Sequence, residues 1–127
     1  MTHTRKSGWP ERLRPDTVQW LEDELSAYHD SVRFLENEAA KELHLPDMTM
    51  VATQRRIRFI GEMVSAIHDL LDALTDEKRR FVELRYWKKK PWDEIADELG
   101  RDKRQLYRWR VEIVTALAIR LGLVDVA

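Results

Sequence analysis

Residues 91 to 110 read PWDEIADELGRDKRQLYRWR, and the fold follows from how that run is punctuated. Pro91 suits a helix start, because a first turn has no use for the backbone donor that proline lacks. Trp92, Ile95, Ala96 and Leu99 then recur at helical spacing on one face, and Gly100 can end the helix in a left-handed conformation. Asp102 offers a carboxylate to cap the next helix, whose inner face continues through Leu106, Trp109, Ile113, Leu117 and Leu121 until Gly122. Two helices around a short turn, with small Ala96 and Gly100 where the backbones approach, make a helix-turn-helix.

The outer face of the second helix carries the functional expectation. At 100° per residue, the side opposite Leu106, Trp109 and Ile113 presents Lys103, Arg104, Tyr107, Arg108 and Val111. Arg104 and Arg108 lie one turn apart, and a guanidinium can donate two parallel hydrogen bonds to guanine O6 and N7. Lys103, Arg104, Tyr107 and Arg108 are therefore the expected base readers in a DNA major groove, with Tyr107 able to contact a sugar or a thymine methyl. Arg101, Arg110 and the run Lys88, Lys89, Lys90 are expected on phosphates, giving affinity without sequence preference. A Lys/Arg run is usually an ordinary solvated face. Here Asp93, Glu94, Asp97 and Glu98 sit on the preceding helix, expected to face away from phosphate, while residues 103 to 110 hold no acid.

Upstream, Thr75 followed by Asp76 and Glu77 is a helix start, a hydroxyl cap with acids at the positive end of the dipole. This helix should run to about Lys89 and bury Phe81, Val82, Leu84 or the stem of Arg85, and Trp87. Before it come two longer stripes with steps of three and four. Val18, Leu21, Leu25, Tyr28, Val32, Leu35 and Ala39 form the first; Met50, Thr53, Ile57, Ile60, Val64, Ile67, Leu71 and Leu74 form the second. Glu42 breaks the first register and Pro46 ends any continuation, so the pair should fold back as an antiparallel hairpin. Each helix has a further apolar line: Phe59, Met63, Ala66, Leu70 and Ala73 on one, Trp20, Ala27 and Phe34 on the other. One hairpin cannot bury both, so the extra faces should pack on the C-terminal unit or on a second copy, a two-fold dimer being the simpler use. No strand-like alternation of useful length occurs. The expected fold is all-α: a loose arm over 1–14, a helical hairpin for oligomerisation over 15–74, and a DNA-binding helix-turn-helix domain over 75–123.

Composition sets the outer bounds. With no cysteine there are no disulfides or thiolate metal sites, and the opening MTHTRKSGWPERLRP has charges where a signal peptide needs apolar residues. No run is long enough to span a membrane, so a cytoplasmic protein is expected. The formal net charge is -1, yet residues 1 to 74 carry nine Lys/Arg against thirteen Asp/Glu and residues 75 to 127 carry thirteen against ten. Positive charge gathers in the half that holds the basic helix face. His3, His29, His44 and His68 are too scattered for a metal set, and no phosphate-cradling glycine loop or nucleophile elbow occurs. No enzyme activity, metal or cofactor is expected. Trp87, Trp92 and Trp109 read as core residues, and Arg55, Arg56 and Arg58 as a solvated helix face.

The segments ELRYWKK, PWDEIADELG and LYRWRVEI lie within LTDEKRRFVELRYWKKKPWDEIADELGRDKRQLYRWRVEIVTALAIRLG. That stretch of about fifty residues resembles the C-terminal part of the RinA and ArpU-like phage transcriptional activators, and more distantly the promoter-reading fourth region of sigma factors. The resemblance implies activation of phage late genes in the cytoplasm of a bacterial host cell, no catalysis, and sigma-like base contacts on Lys103, Arg104, Tyr107 and Arg108. It departs at Arg101, which stands where the turn is usually apolar. Double-stranded DNA and RNA polymerase are the implied partners. Two other functions fit the same features: a phage small terminase, whose hairpin builds a ring around a packaging-DNA reader, and an adaptor that docks on polymerase.

Overall fold

The computed structural model describes residues 8–10, 13–41 and 49–124. These are all-helical: α1 Pro15–Ser26, α2 Tyr28–Lys41, α3 Thr49–Ala73, α4 Asp76–Val82, a π-helical turn Glu83–Trp87, α5 Trp92–Leu99 and α6 Lys103–Arg120. Among the described residues no helix is long and apolar enough to cross a membrane. The break assigned to Glu42 and Pro46 lies outside the described residues.

Local chemistry sets most helix ends. Thr75 Oγ1 accepts from Lys78 N–H at 3.3 Å to start α4, and Asp102 Oδ1 accepts from Arg104 N–H at 3.0 Å to start α6. Gly100 ends α5 with φ 63° and ψ 36°. Arg101 N–H there reaches back to Ala96 O at 3.0 Å and Gly100 N–H to Asp97 O at 3.4 Å, the paired bonds of a left-handed helix stop. A Cβ at Gly100 would meet nothing within 4 Å, so only the backbone resists substitution. Gly100→Ala is expected to cost about 1 kcal/mol, read as a lower urea midpoint at unchanged slope, with Gly100→Asn costing less. An unchanged midpoint for Gly100→Ala would contradict the left-handed stop.

The described residues differ from the sequence expectation in three places. The first long stripe is two helices, not one, because Ala27 leaves helical geometry at φ -88°, ψ 3°. The helix expected to reach Lys89 is α-helical only to Val82 and then widens, with Lys88 N–H bonding Glu83 O at 2.8 Å. The wide turn offsets the register, so Tyr86 enters the core where Trp87 was expected; Trp87 is half-buried, its indole N–H donating to Leu25 O at 3.0 Å. Finally, the segment read as a loose arm is packed where it is described: Leu13 is buried and Trp9 lies against the core.

One apolar cluster joins both halves of the chain. Val18, Leu21 and Leu25 of α1 and Met63, Ala66, Ile67 and Leu70 of α3 meet Phe81, Val82, Leu84, Ile95, Leu106, Ile113, Val114 and Leu117. α6 is the common wall, touched by α1, α3 and α5. The second apolar line of α3 is thus covered, over Met63, Ala66 and Leu70, by the same chain. Farther out the picture changes. Val32 and Leu35 of α2 and Ile57, Ile60 and Val64 of α3 are only partly buried, and Phe59 is 51% exposed beside Trp20.

Candidate nucleic-acid interface

α6 presents two faces that its sequence separates cleanly at first. Leu106, Trp109, Ile113 and Leu117 are buried, while Lys103, Arg104, Tyr107 and Arg108 are exposed on the side away from them. Trp109 sits in the core, edge-on to Phe81 at 6.1 Å between centroids, with Lys78 and Arg101 over its faces at 5.9 and 5.7 Å. The structure brings the four expected readers onto one exposed strip of a single helix.

They differ in how they are held. Among the described residues, the guanidinium groups of Arg104 and Arg108 have no ion-pair partner. Tyr107 is 46% exposed and edge-on to Trp92, 4.7 Å between centroids. Trp92 in turn carries Arg85, its guanidinium carbon 4.5 Å from the ring centre. The ring of Tyr107 is therefore propped by Trp92 while nearly half of the residue stays exposed. Lys103 Nζ lies 2.7 Å from Asp93 Oδ1, and that hydrogen bond, reinforced by the carboxylate charge, holds the ammonium above its ordinary range. Asp93 accordingly lies at the rim of the strip, a correction to the expectation that the acids of this helix face away from it.

The five expected phosphate contacts do not form one set. Arg110 faces the other way, because its position falls on the inner side of α6 beside Leu106. Its guanidinium grips Glu22 of α1 in two parallel bonds of 2.9 and 2.7 Å and lies 5.3 Å from the Trp9 ring. Tyr86 completes the node by donating its hydroxyl to Glu22 Oε2 at 2.6 Å. Burial pushes the Glu22 carboxyl up, but the bonds from Arg110 and Tyr86, with the charges of Arg110 and Arg85, outweigh it and leave a lowered pKa. The same burial, together with the Glu22 charge, pushes the Tyr86 hydroxyl up. Arg101 also makes a two-bond pair, with Glu77 at 2.8 Å each, which holds that carboxyl below its ordinary range.

Lys90 lies 3.4 Å from Glu94 and Lys88 4.0 Å from Glu83, loose pairs that water can replace. Lys89 is exposed, has no ion pair among the described residues, and adopts φ 53°, unusual for a residue with a side chain. Apart from Arg110, these cations surround α5 and the start of α6.

The sequence did not point to Arg85 as the support beneath Trp92 and Tyr107, nor to Gly8. Gly8 lines a shallow groove together with Arg104, Tyr107, Arg108, Val111 and Glu112. Chemically, the strip offers two free planar donors one turn apart, a propped phenol between them, and cations at its edges. That set suits planar acceptors and anions; no group of His, Cys, Asp and Glu suited to a metal occurs among the described residues.

A family model described as "Protein of unknown function (DUF722)" matches residues 30–118, from α2 to the last turn of α6. No curated protein and no solved structure matches the chain.

Proposed function

The chain belongs to this family of proteins of unknown function, and we propose that it is a sequence-specific DNA-binding protein that regulates transcription. In this reading α5 and α6 are a helix-turn-helix, with α6 the recognition helix in the major groove. One observation carries it: Arg104 and Arg108 stand exposed, one turn apart and without an ion pair among the described residues, while Arg101, Lys103 and Arg110 are engaged with acids. Those two guanidinium groups are also the ones placed, one turn apart, to match the paired acceptors of guanine.

Arg104 and Arg108 read bases, and Tyr107 contacts a sugar or a thymine methyl. Lys103 joins them by exchanging Asp93 for a base or phosphate. Lys88, Lys89, Lys90 and Arg101 serve the phosphates, and Arg110 acts inside the protein as a brace for α6. Resemblance to the RinA and ArpU-like activators supports the regulatory outcome, activation of phage late genes with RNA polymerase as the second partner. The part-buried apolar residues of α2 and the outer half of α3 support a homodimer through this hairpin.

Selection of bound sequences from a random DNA pool tests both points. The expected result is one defined site with guanines opposite the arginines, present as two half-sites about 34 Å, one helical turn, or a multiple apart. A pool that stays random after repeated rounds overturns the reading. Mass in solution separates the remaining alternative, since a ring of eight or more chains would favour DNA packaging over transcription.

A further inference from the structure

Asp93 is the acid that α5 sends toward the exposed strip. Of its neighbours on that helix, Glu94 pairs with Lys90 at 3.4 Å and Glu98 with Arg80 at 2.6 Å. Asp93, in the first turn of α5, instead spans to Lys103, the first residue of α6, with Oδ1 2.7 Å from Nζ. Both side chains remain open, at 81% and 49% exposure, so the ion pair is worth little in water and a ligand can part it. The strip therefore ends, at the start of α6, in an acceptor and a donor set one hydrogen bond apart.

That spacing has a counterpart on DNA. The N-terminal residues of a recognition helix meet base edges in the major groove, where a G·C pair shows guanine O6 beside cytosine N4 and a T·A pair shows thymine O4 beside adenine N6. In both, the keto oxygen and the amino nitrogen are joined by the base pair's own hydrogen bond, about 2.9 Å long. Lys103 and Asp93 can thus turn from each other onto the two groups without moving apart. With the base pair reversed, the ammonium faces an amino group and the carboxylate a carbonyl oxygen, and neither contact forms. On phosphates alone, Asp93 cancels the pull of Lys103. We infer that Asp93 is a specificity-determining residue that, with Lys103, reads one base pair by the orientation of its groups: Lys103 donates to the keto oxygen of G or T, and the Asp93 carboxylate accepts from the amino group of the paired C or A. This rests on the DNA-binding reading above.

Selection from a random pool with the full chain is expected to leave one position that holds G or T on one strand and C or A on the other; selection with Asp93→Ala should leave that position even. On duplexes of about 30 base pairs, reversing this base pair should weaken native binding by roughly 5-fold to 150-fold. Asp93→Ala should lose most of that difference and bind random sequence more tightly, its slope of log K against log salt steeper by about one because Lys103 is released to a phosphate. Asp93→Asn, whose amide both donates and accepts, should tolerate both orientations. The exposed carboxylate contributes little to the fold, so urea midpoints should stay close to that of the native chain. An orientation preference that survives in Asp93→Ala, or equal gains on all duplexes, would overturn the role of Asp93; so would a native site with no such position. Arg108→Ala still weakening cognate binding in those cases would leave the reading of α6 intact. If the native chain binds no duplex, the DNA reading fails first and the role of Asp93 with it.

Discussion

Arg104→Ala/Arg108→Ala is expected to abolish site-specific DNA binding while the protein folds as before. Each two-bond contact between a guanidinium and guanine is worth about 1–3 kcal/mol of discrimination, so losing both should weaken cognate binding by roughly 30-fold to 20,000-fold. Both side chains are exposed and lack an ion-pair partner among the described residues, so stability should move by no more than about 0.5 kcal/mol. Binding isotherms on selected and random duplexes, with a urea titration of each protein, make the measurement. Equal losses on both duplexes would mean that the arginines hold phosphate and do not read bases. No loss on either, with regulation intact, would favour a module that docks on polymerase.

The second large effect is on the fold itself. Glu22→Ala should destabilise the protein by about 2–4 kcal/mol, somewhat less than breaking a fully buried pair, because the Arg110 side chain is 34% exposed. The variant leaves a guanidinium and the buried Tyr86 hydroxyl facing a space with no acceptor. Glu22→Gln keeps an acceptor for Tyr86 and should lose less. The pH dependence has a definite sign. Because the folded carboxyl titrates below its ordinary value of 4.5, the folded state binds fewer protons than the unfolded state in the interval between the two values. The node's contribution is therefore present above the ordinary carboxylate range and lost as pH falls through the lowered folded value. Urea midpoints of native protein and Glu22→Gln between pH 7 and pH 3 should converge toward the acid end. A constant gap would show that the carboxylate charge contributes nothing.

What could be read from sequence divides along a physical line. Thr75, Asp102, Gly100 and Gly122 act on amides or carbonyls only a few residues away, so helix boundaries around the candidate site were legible without the fold. The exposed strip of α6 was legible for a similar reason, since one helix's period places Lys103, Arg104, Tyr107 and Arg108. That same period sets Arg110 beside Leu106, on the inner side, so its absence from the strip was readable too. Its partner was not, because Glu22 lies 88 positions away and nothing local announces the pairing. Tyr86 and Trp87 exchanged places through a widened turn, which an assumption of 3.6 residues per turn cannot represent. Asp93 was misjudged because its reach to Lys103 depends on how α5 crosses α6. The second apolar line of α3 announced that it needed cover; that the same chain supplies it at Met63, Ala66 and Leu70 required the tertiary arrangement.

α3 shows where such an arrangement leads. It has 25 residues, a rod about 37 Å long at 1.5 Å per residue, and its two ends live under different conditions. From Met63 onward it is clamped in the core against α6; before that, Ile57 and Ile60 are only partly covered and Phe59 is exposed. One rigid rod thus joins the core to a surface half that rests on α2, where Arg56 lies over the Phe34 ring at 5.3 Å. Any contact made on the outer half is therefore borne by a helix whose other half belongs to the core it shares with α6.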